Sequence, residues 1–442
     1  MSAEPALKPA RSSWLLSDAG FLRDPYPTYQ AMREAGPIQW SEEFFGGAWV
    51  VTRHADVESV LRDPRFSAQR TGGWVMGVDR QGGSARRELQ GFQRLFARAM
   101  LFLDAPDHAR IRQVLNAGFR PAALQALVPR IEQMVTERLD AVDAATGFDF
   151  MQAVARPLPA QVIAMLMGVE SSDQARFIAW SDDLAAFIGA LQPTLDLARR
   201  AQKSLLEMSA YFEALLPQRR REPGDDLVSR LLQAEHSGQI HGSTELLAQC
   251  AMLLFAGHET TRNLLGNGLH ALLRHPDQWK RLQREPELLP GAVRELLRYD
   301  SPVQYTGRRV ATEMDMYGRR LRRGDLLVAL IGAANRDPQR YAEPDRLDVA
   351  RRQVGSLSFG HGPHVCIGAA LTLMEAQALF GRLLQRWPRL RLTDEVPNWN
   401  GNPVYRGLAK LEVRQTDAPS APGGSRLASE HLCVNAALGE PS

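Results

Sequence analysis

The sequence predicts a mainly α fold with small β-sheets, on three observations. From Asp107 to about residue 275 the pattern is helical almost throughout, broken only at turn residues: Arg120-Pro121, near Gly147, near Gly168, Glu222-Pro-Gly224 and Ser237-Gly238. After residue 300 short β-prone runs alternate with turns, Leu326 to Ile331 among them. The 442 residues are 44% hydrophobic and 23% charged, an ordinary globular composition with ample material for a large core. The chain has no internal repeat and no linker between two folding units. One domain over 21–415 is therefore expected, with a loose arm at 1–20 and a disordered, Pro/Gly-rich tail at 416–442.

The elements follow in order. Asp24-Pro-Tyr-Pro-Thr-Tyr leads into a short helix carrying Met32 and Arg33. Trp49 to Arg53 reads as a strand, and Ala55 to Leu61 as a helix stopped at Asp63-Pro64. Residues 70–100 mix glycine, arginine and apolar side chains without a clean period, as a long loop with a helical piece does. Thr244 to Arg274 is helix-like and ends before His275-Pro276, a span of about 45 Å at 1.5 Å per residue. A last helix is expected over Ala369 to Arg386.

Charge and cysteine usage exclude several classes. A formal net charge of +3 is too small to argue for nucleic acid or an anionic membrane. Lysine occurs only at Lys8, Lys203, Lys280 and Lys410, so nearly all positive charge is arginine, through genome composition or a need for forked donors. Cys250, Cys366 and Cys433 are too few and too scattered for a disulfide framework and suit a reducing cytosol. The N-terminal stretch has no apolar run fit for a signal peptide or membrane anchor, so a soluble, cytoplasmic protein is expected.

Two stretches carry chemistry. The first, Phe359 to Gly368, reads FGHGPHVCIG and crowds three glycines and two histidines around Cys366. Glycine suits backbone that turns tightly or approaches something flat and large. Cys366 sits just before a helix start, where free N–H groups favour thiolate. A buried structural cysteine is the plainest account. Zinc held by His361, His364 and Cys366 has the wrong spacing, and no Lys-Ser/Thr follows for a phosphate loop. A haem iron held by one cysteine thiolate is the remaining account.

The second stretch interrupts the long helix: Ala256-Gly-His-Glu-Thr-Thr-Arg-Asn263. Consecutive polar residues at 100° each cover every face, so some must point inward, where they are costly unless paired. One account is a solvent-facing patch with Gly257 marking a close helix crossing. The other is a local helix distortion that holds water and passes protons through Glu259 and Thr260.

Together these stretches resemble the cytochrome P450 haem-thiolate monooxygenases of the soluble bacterial kind, over about residues 24–413. The loop fits that family's Phe-Gly-x-Gly-x-His-x-Cys-x-Gly signature, and Ala256, Gly257, Glu259 and Thr260 fit its Ala/Gly-Gly-x-Asp/Glu-Thr signature. The resemblance implies a triangular, helix-rich single domain with haem b between a long central helix and the cysteine-loop helix. It makes Cys366 the axial iron ligand, with Phe359, Gly360 and His364 in the loop beside the haem, and gives Thr260 and Glu259 proton delivery. Asp107-His-Ala-Arg-Ile-Arg112 resembles the propionate-binding helix, through His108 and Arg112, and Arg309 matches a third propionate donor with Arg308 as its neighbouring alternative. Glu295-Leu-Leu-Arg298 matches a structural Glu-x-x-Arg pair that Arg346 would join. Taken alone it is an ordinary i,i+3 ion pair. Pro363, and Leu371-Thr-Leu-Met-Glu375 where relatives commonly carry an Ala-Arg pair, depart from the usual pattern.

The function so implied is insertion of one oxygen atom from O2 into a hydrophobic small molecule, polyketide, macrolide or terpenoid in kind. The other oxygen leaves as water. No fused reductase fits in the length, so electrons derived from NAD(P)H would come through a separate ferredoxin and ferredoxin reductase. These would dock on a basic face near Arg110, Arg112 and the cysteine loop of a monomer. Pocket candidates are Met76, Phe187, Leu191, Ala256, Val303 and Tyr405. The rivals are peroxide-driven oxidation, desaturation or coupling on the same scaffold, and a non-catalytic haem protein that binds a ligand.

Overall fold

The computed structural model describes residues 14–416 except 45, 71–87, 353–354 and 395. Its axis is one uninterrupted α-helix, Ser243–Arg274, of 32 residues. The helix has no internal proline and stops where His275-Pro276 cannot continue it. Leu246, Leu247, Phe255 and Met252 are each buried, at about 0°, 100°, 180° and 240° around the axis, so apolar side chains face outward in every direction. A helix apolar all round must be covered all round. The helices Pro157–Met167, Gln174–Gly189, Leu195–Arg221, Leu289–Tyr299 and Ala369–Arg386 supply that cover.

The sheets lie beside this helical body. The largest has five strands in the order Ile38–Ser41, Ala48–Val51, Leu326–Ala329, Thr306–Val310, Phe66–Ser67. Ala48–Val51 runs parallel to Leu326–Ala329, and the other pairings are antiparallel. Val51, Leu327, Ala329 and Val310 bury one face of this sheet in a small separate core. A three-stranded sheet joins Phe148–Asp149, Glu412–Gln415 and Leu390–Leu392, and two hairpins complete the set.

Most expected boundaries hold to within a residue or two. The last helix spans Ala369–Arg386, and the helix after the first sheet spans His54–Arg62. Gly168 closes its helix at φ 70°, a left-handed turn that glycine enters without a Cβ clash. The expected run Leu326 to Ile331 divides: the strand ends at Ala329 and a one-turn helix begins at Ile331. The end of the expected loose arm is packed instead. Leu16 is buried in the main core, and Trp14 Nε1 donates to Gln39 Oε1 at 3.0 Å. Residues 1–13 and the expected tail from 417 lie outside the described residues. No described helix is long and apolar enough to cross a membrane.

Candidate active site

An internal cavity of about 290 Å³ opens between the long helix and the cysteine loop. Ala256, Gly257 and Thr260 line one wall, and Phe359, Gly360, His364 and Cys366 line another. The backbone folds the cysteine loop tightly. Gly360 N donates to Leu357 O at 2.8 Å, and Cys366 N to Phe359 O at 2.8 Å. Gly360 and Gly362 take φ of 73° and 71°, in the left-handed region. At Gly362 a Cβ would stand 2.9 Å from Arg62 Cα and 3.0 Å from Leu61 O. This glycine therefore answers to the helix packed behind the loop, not to the cavity.

Cys366 is exposed and lines the cavity. Burial pushes its thiol up, while the Gly368 N–H and the Arg112 charge pull it down. The helix start alone does not make a thiolate here. A metal cation in the cavity would. Arg112 lies behind the loop, donating to Val365 O at 2.7 Å and Asn116 Oδ1 at 3.1 Å, and is absent from the cavity lining. Arg112 thus braces the cysteine loop and adds its charge beside His364 and Cys366.

One end of the cavity gathers positive charge. Arg308 and His364 line it together with Arg70. The His108 ring lies 4.0 Å from that of His364, and His108 Nε2 is buried with no hydrogen-bond partner among the described residues. Burial, with His108, Arg308, Arg70 and Arg112 adding repulsion, pushes His364 down to about 3. Arg308 falls to about 10 through burial, which Asp104 only partly opposes. Arg309, the sequence expectation, and its alternative Arg308 both line the cavity. Strand Thr306–Val310 alternates its faces, so the two arginines point opposite ways. Arg308 is buried beside His108 and His364, and Arg309, half-buried, donates to Gly324 O at 2.7 Å.

The polar stretch of the long helix is buried, not a solvent-facing patch. His258 Nε2 meets Arg156 O at 3.1 Å, and Thr261 Oγ1 meets Thr372 Oγ1 at 3.2 Å. Glu259 Oε1 accepts from Arg262 Nη2 at 2.6 Å and Asn263 Nδ2 at 3.1 Å, and Arg262 Nη1 reaches Asp182 at 2.8 Å. Burial pushes the Glu259 carboxyl up, and Arg262 pulls it down. Its Oε2 has no partner among the described residues, and Glu259 does not line the cavity. Thr260 does line it, with Oγ1 donating to Ala256 O at 3.2 Å. The expected helix distortion is absent: Ser243–Arg274 is α-helical throughout. Gly257 marks a close crossing, since a Cβ there would stand 2.8 Å from Ile163 Cγ1.

Behind the cysteine loop lies a buried ion triad. Arg298 meets Glu295 at 2.7 and 2.8 Å, and Arg351 Nε meets Glu295 Oε1 at 3.0 Å. Arg351 takes the place expected of Arg346, whose side chain pairs with Glu343 and is 61% exposed. Arg346 contributes its carbonyl instead, 3.2 Å from Arg298 Nη2. Arg298 also donates to Asn335 O at 2.9 Å, and Asn335 Oδ1 accepts from Leu357 N at 2.7 Å. The triad thereby supports the base of the cysteine loop.

Of the pocket candidates, Ala256, Val303 and Tyr405 line the cavity. Phe187 and Leu191 do not. Phe187 is fully buried against Phe92, with ring centroids 5.2 Å apart, and its neighbour Ile188 faces the cavity. Met76 lies outside the described residues. Sequence reasoning missed Glu375 as a cavity-lining group; burial raises its carboxyl well above the usual range. Its position on the buried face of an otherwise apolar helix was the available signal.

Comparison with known proteins bears on this geometry directly. The cytochrome P450 family model matches residues 81–401. Cytochrome P450 107B1 of Saccharopolyspora erythraea is 40% identical over 404 residues, covering 90% of this chain and 97% of that protein. The cytochrome P450 monooxygenase PikC of Streptomyces venezuelae is 37% identical, covering 89% and 92%. Among solved structures, CalO2 superposes with a TM-score of 0.82 at 35% identity, covering 91% of this chain and 98% of that one. P450BioI, in complex with an acyl carrier protein bearing hexadec-9Z-enoic acid, gives 0.83 at 33%, covering 90% and 100%.

The chain belongs to the cytochrome P450 family. It is a cytochrome P450 monooxygenase, an enzyme whose cofactor is a cysteine-ligated haem and which uses O2 and NAD(P)H-derived electrons. The residues present fit that group. Among the described residues one sulfur lines the cavity, and a buried His108 nitrogen without a partner among them sits beside cations at one end, where a dianionic macrocycle would bring its carboxylates.

Proposed function

We propose that Cys366 is the axial ligand of the haem iron and that this enzyme oxygenates a hydrophobic small molecule of secondary metabolism. The observation that carries the reading is a cavity bounded by Cys366 on one side and Thr260 on another, with arginine and histidine at one end. When bound, the haem supplies reductive activation of O2. His108, Arg308, Arg309 and His364 would hold its propionates, and Arg112 steadies the loop through Val365 O. Thr260 holds a hydroxyl at the cavity surface, its proton directed to Ala256 O and its lone pairs left for an incoming donor. Glu259 is the nearby proton store: burial favours its neutral form, and it must leave Arg262 and Asn263 to deliver a proton.

The apolar lining, with Leu253, Phe255, Ile163 and Val303, supports a polyketide-, macrolide- or terpenoid-like substrate. The polyketide biosynthesis cytochrome P450 PksS of Bacillus subtilis, 35% identical to this chain, supports the same class. A ferredoxin and its reductase supply electrons, docking where Arg112 and the exposed Val365 flank the cysteine loop. Arg110 takes no part in that face, because Glu245 and Asp107 neutralise it.

Two experiments test the assignment. In Thr260→Ala, product formed from O2, ferredoxin, reductase and NAD(P)H is expected to fall by about tenfold to a hundredfold per electron consumed. Product formed with hydrogen peroxide should be retained, and equal loss on both routes would remove the proton role. Arg308→Ala, the more deeply buried of the two, is expected to lose more haem on gel filtration than Arg309→Ala. The reverse ranking would give the larger share of the propionate contact to Arg309.

A further inference from the structure

Two walls of the cavity come from segments far apart in sequence. Helix Gln174–Gly189 contributes Ile188, and the turn between the strands Asn398–Trp399 and Leu408–Lys410 contributes Val404 and Tyr405. One side chain joins them. Asn402 Nδ2 donates to Ala185 O, one helical turn before Ile188, at 3.0 Å. Asn402 Oδ1 accepts from Val404 N at 3.0 Å and from Tyr405 N at 2.9 Å. The amide thus spends its donor on the helix and its acceptor on the turn, which no carboxylate or hydrophobe can do.

The surroundings fix this amide. Asn402 N donates to Asn400 Oδ1 at 3.0 Å, and Asn400 Nδ2 donates to Tyr405 O at 2.8 Å. The far side of the turn is moored to the rest of the protein: Gln304 N meets Val404 O at 2.8 Å, and Asn267 Nδ2 of the long helix meets Arg406 O at 3.0 Å. The Tyr405 ring meets Phe255 edge-on at 5.8 Å. Against that fixed turn, helix Gln174–Gly189 ends in a glycine where a Cβ would stand 2.1 Å from Asn402 Oδ1. The helix end is shaped to admit the asparagine.

We infer that Asn402 is a positioning residue that sets the separation of Ile188 from Tyr405, and through it the size of ligand the cavity admits. The inference rests on the proposed reading of this cavity as the haem and substrate site. Asn402→Asp keeps both acceptances on the turn and loses the donation to Ala185 O, so it cuts the link and spares the turn. Gly189→Ala cuts this link from the helix side and, by displacing the whole amide, also disturbs its bonds to Val404 N and Tyr405 N.

The test uses the holoenzyme and two iron-binding probes read by the Soret shift. Imidazole reaches the iron without filling the cavity, and clotrimazole carries three aryl rings into it. In Asn402→Asp the imidazole Kd is expected to stay within about twofold of the parent, while the clotrimazole Kd moves by about tenfold or more. Gly189→Ala should shift the clotrimazole Kd at least as far, because it displaces the amide from the helix and the turn alike. A clotrimazole Kd that tracks imidazole in Asn402→Asp overturns the inference. A parent protein whose Soret band ignores imidazole overturns the haem reading beneath it, a failure the first outcome does not mimic.

Discussion

Cys366→Ser is expected to abolish the strongly red-shifted Soret band of the dithionite-reduced, carbon-monoxide-bound protein and to reduce oxygenation to background. A serine hydroxyl fits where the thiol fits, but it does not ionise near neutral pH and gives iron none of the thiolate's electron density, which favours O–O cleavage. The protein alone does not hold Cys366 ionised, since burial pushes its thiol up against the pull of Arg112 and the Gly368 N–H. The spectral band is therefore a joint property of the metal and this sulfur. Cys250 is the internal control. It is buried in the long helix, its thiol pushed up by that burial, and it is absent from the cavity lining. Cys250→Ser should leave the band in place. A band that survives Cys366→Ser would assign the ligand elsewhere.

Arg298→Ala should cost more stability than any other single change away from the cavity. Removing one partner of a buried ion pair typically costs about 3–5 kcal/mol, because the other charge stays buried and unmatched. Arg298 also leaves the carbonyls of Asn335, Pro344 and Arg346 without their donor. Against a typical global stability of about 5–15 kcal/mol, such a loss is a large fraction. Thermal denaturation of the holoprotein should show it as a lowered midpoint and reduced haem content on purification. Arg346→Ala removes only a surface pair with Glu343, worth about 0–1 kcal/mol, and should be near neutral. Equal destabilisation by the two would show that Arg346, and not Arg351, completes the triad.

What the sequence made legible was local. The glycine-rich loop, its cysteine, the helix after it and the polar stretch of the long helix each declare themselves within a few residues. What it hid was orientation set by distant partners. Arg308 and Arg309 are adjacent in sequence and leave opposite faces of one strand, and tertiary packing alone buries the first beside His364 and gives the second to Gly324 O. Arg351 joins Glu295 from 56 residues away, a distance at which no motif speaks. Phe187 and Ile188 differ by one helical step, and the aromatic partner Phe92 that captures the first is set by tertiary packing alone. Glu259 reads as a free acid in sequence, but Arg262 and Asn263 on its own helix hold it.

Asn335 gives the scaffold one more consequence. Its amide bonds Ser301 and Ser358 and its carbonyl oxygen bonds Leu357 N, so it stands between the Arg298 triad and the start of the cysteine loop. The loop then lacks an independent route to local opening: freeing it means breaking into a cooperative unit that includes the triad. Release of the prosthetic group and sub-global unfolding become a single kinetic event. The residence time of the cofactor is thereby governed by charges that never touch it.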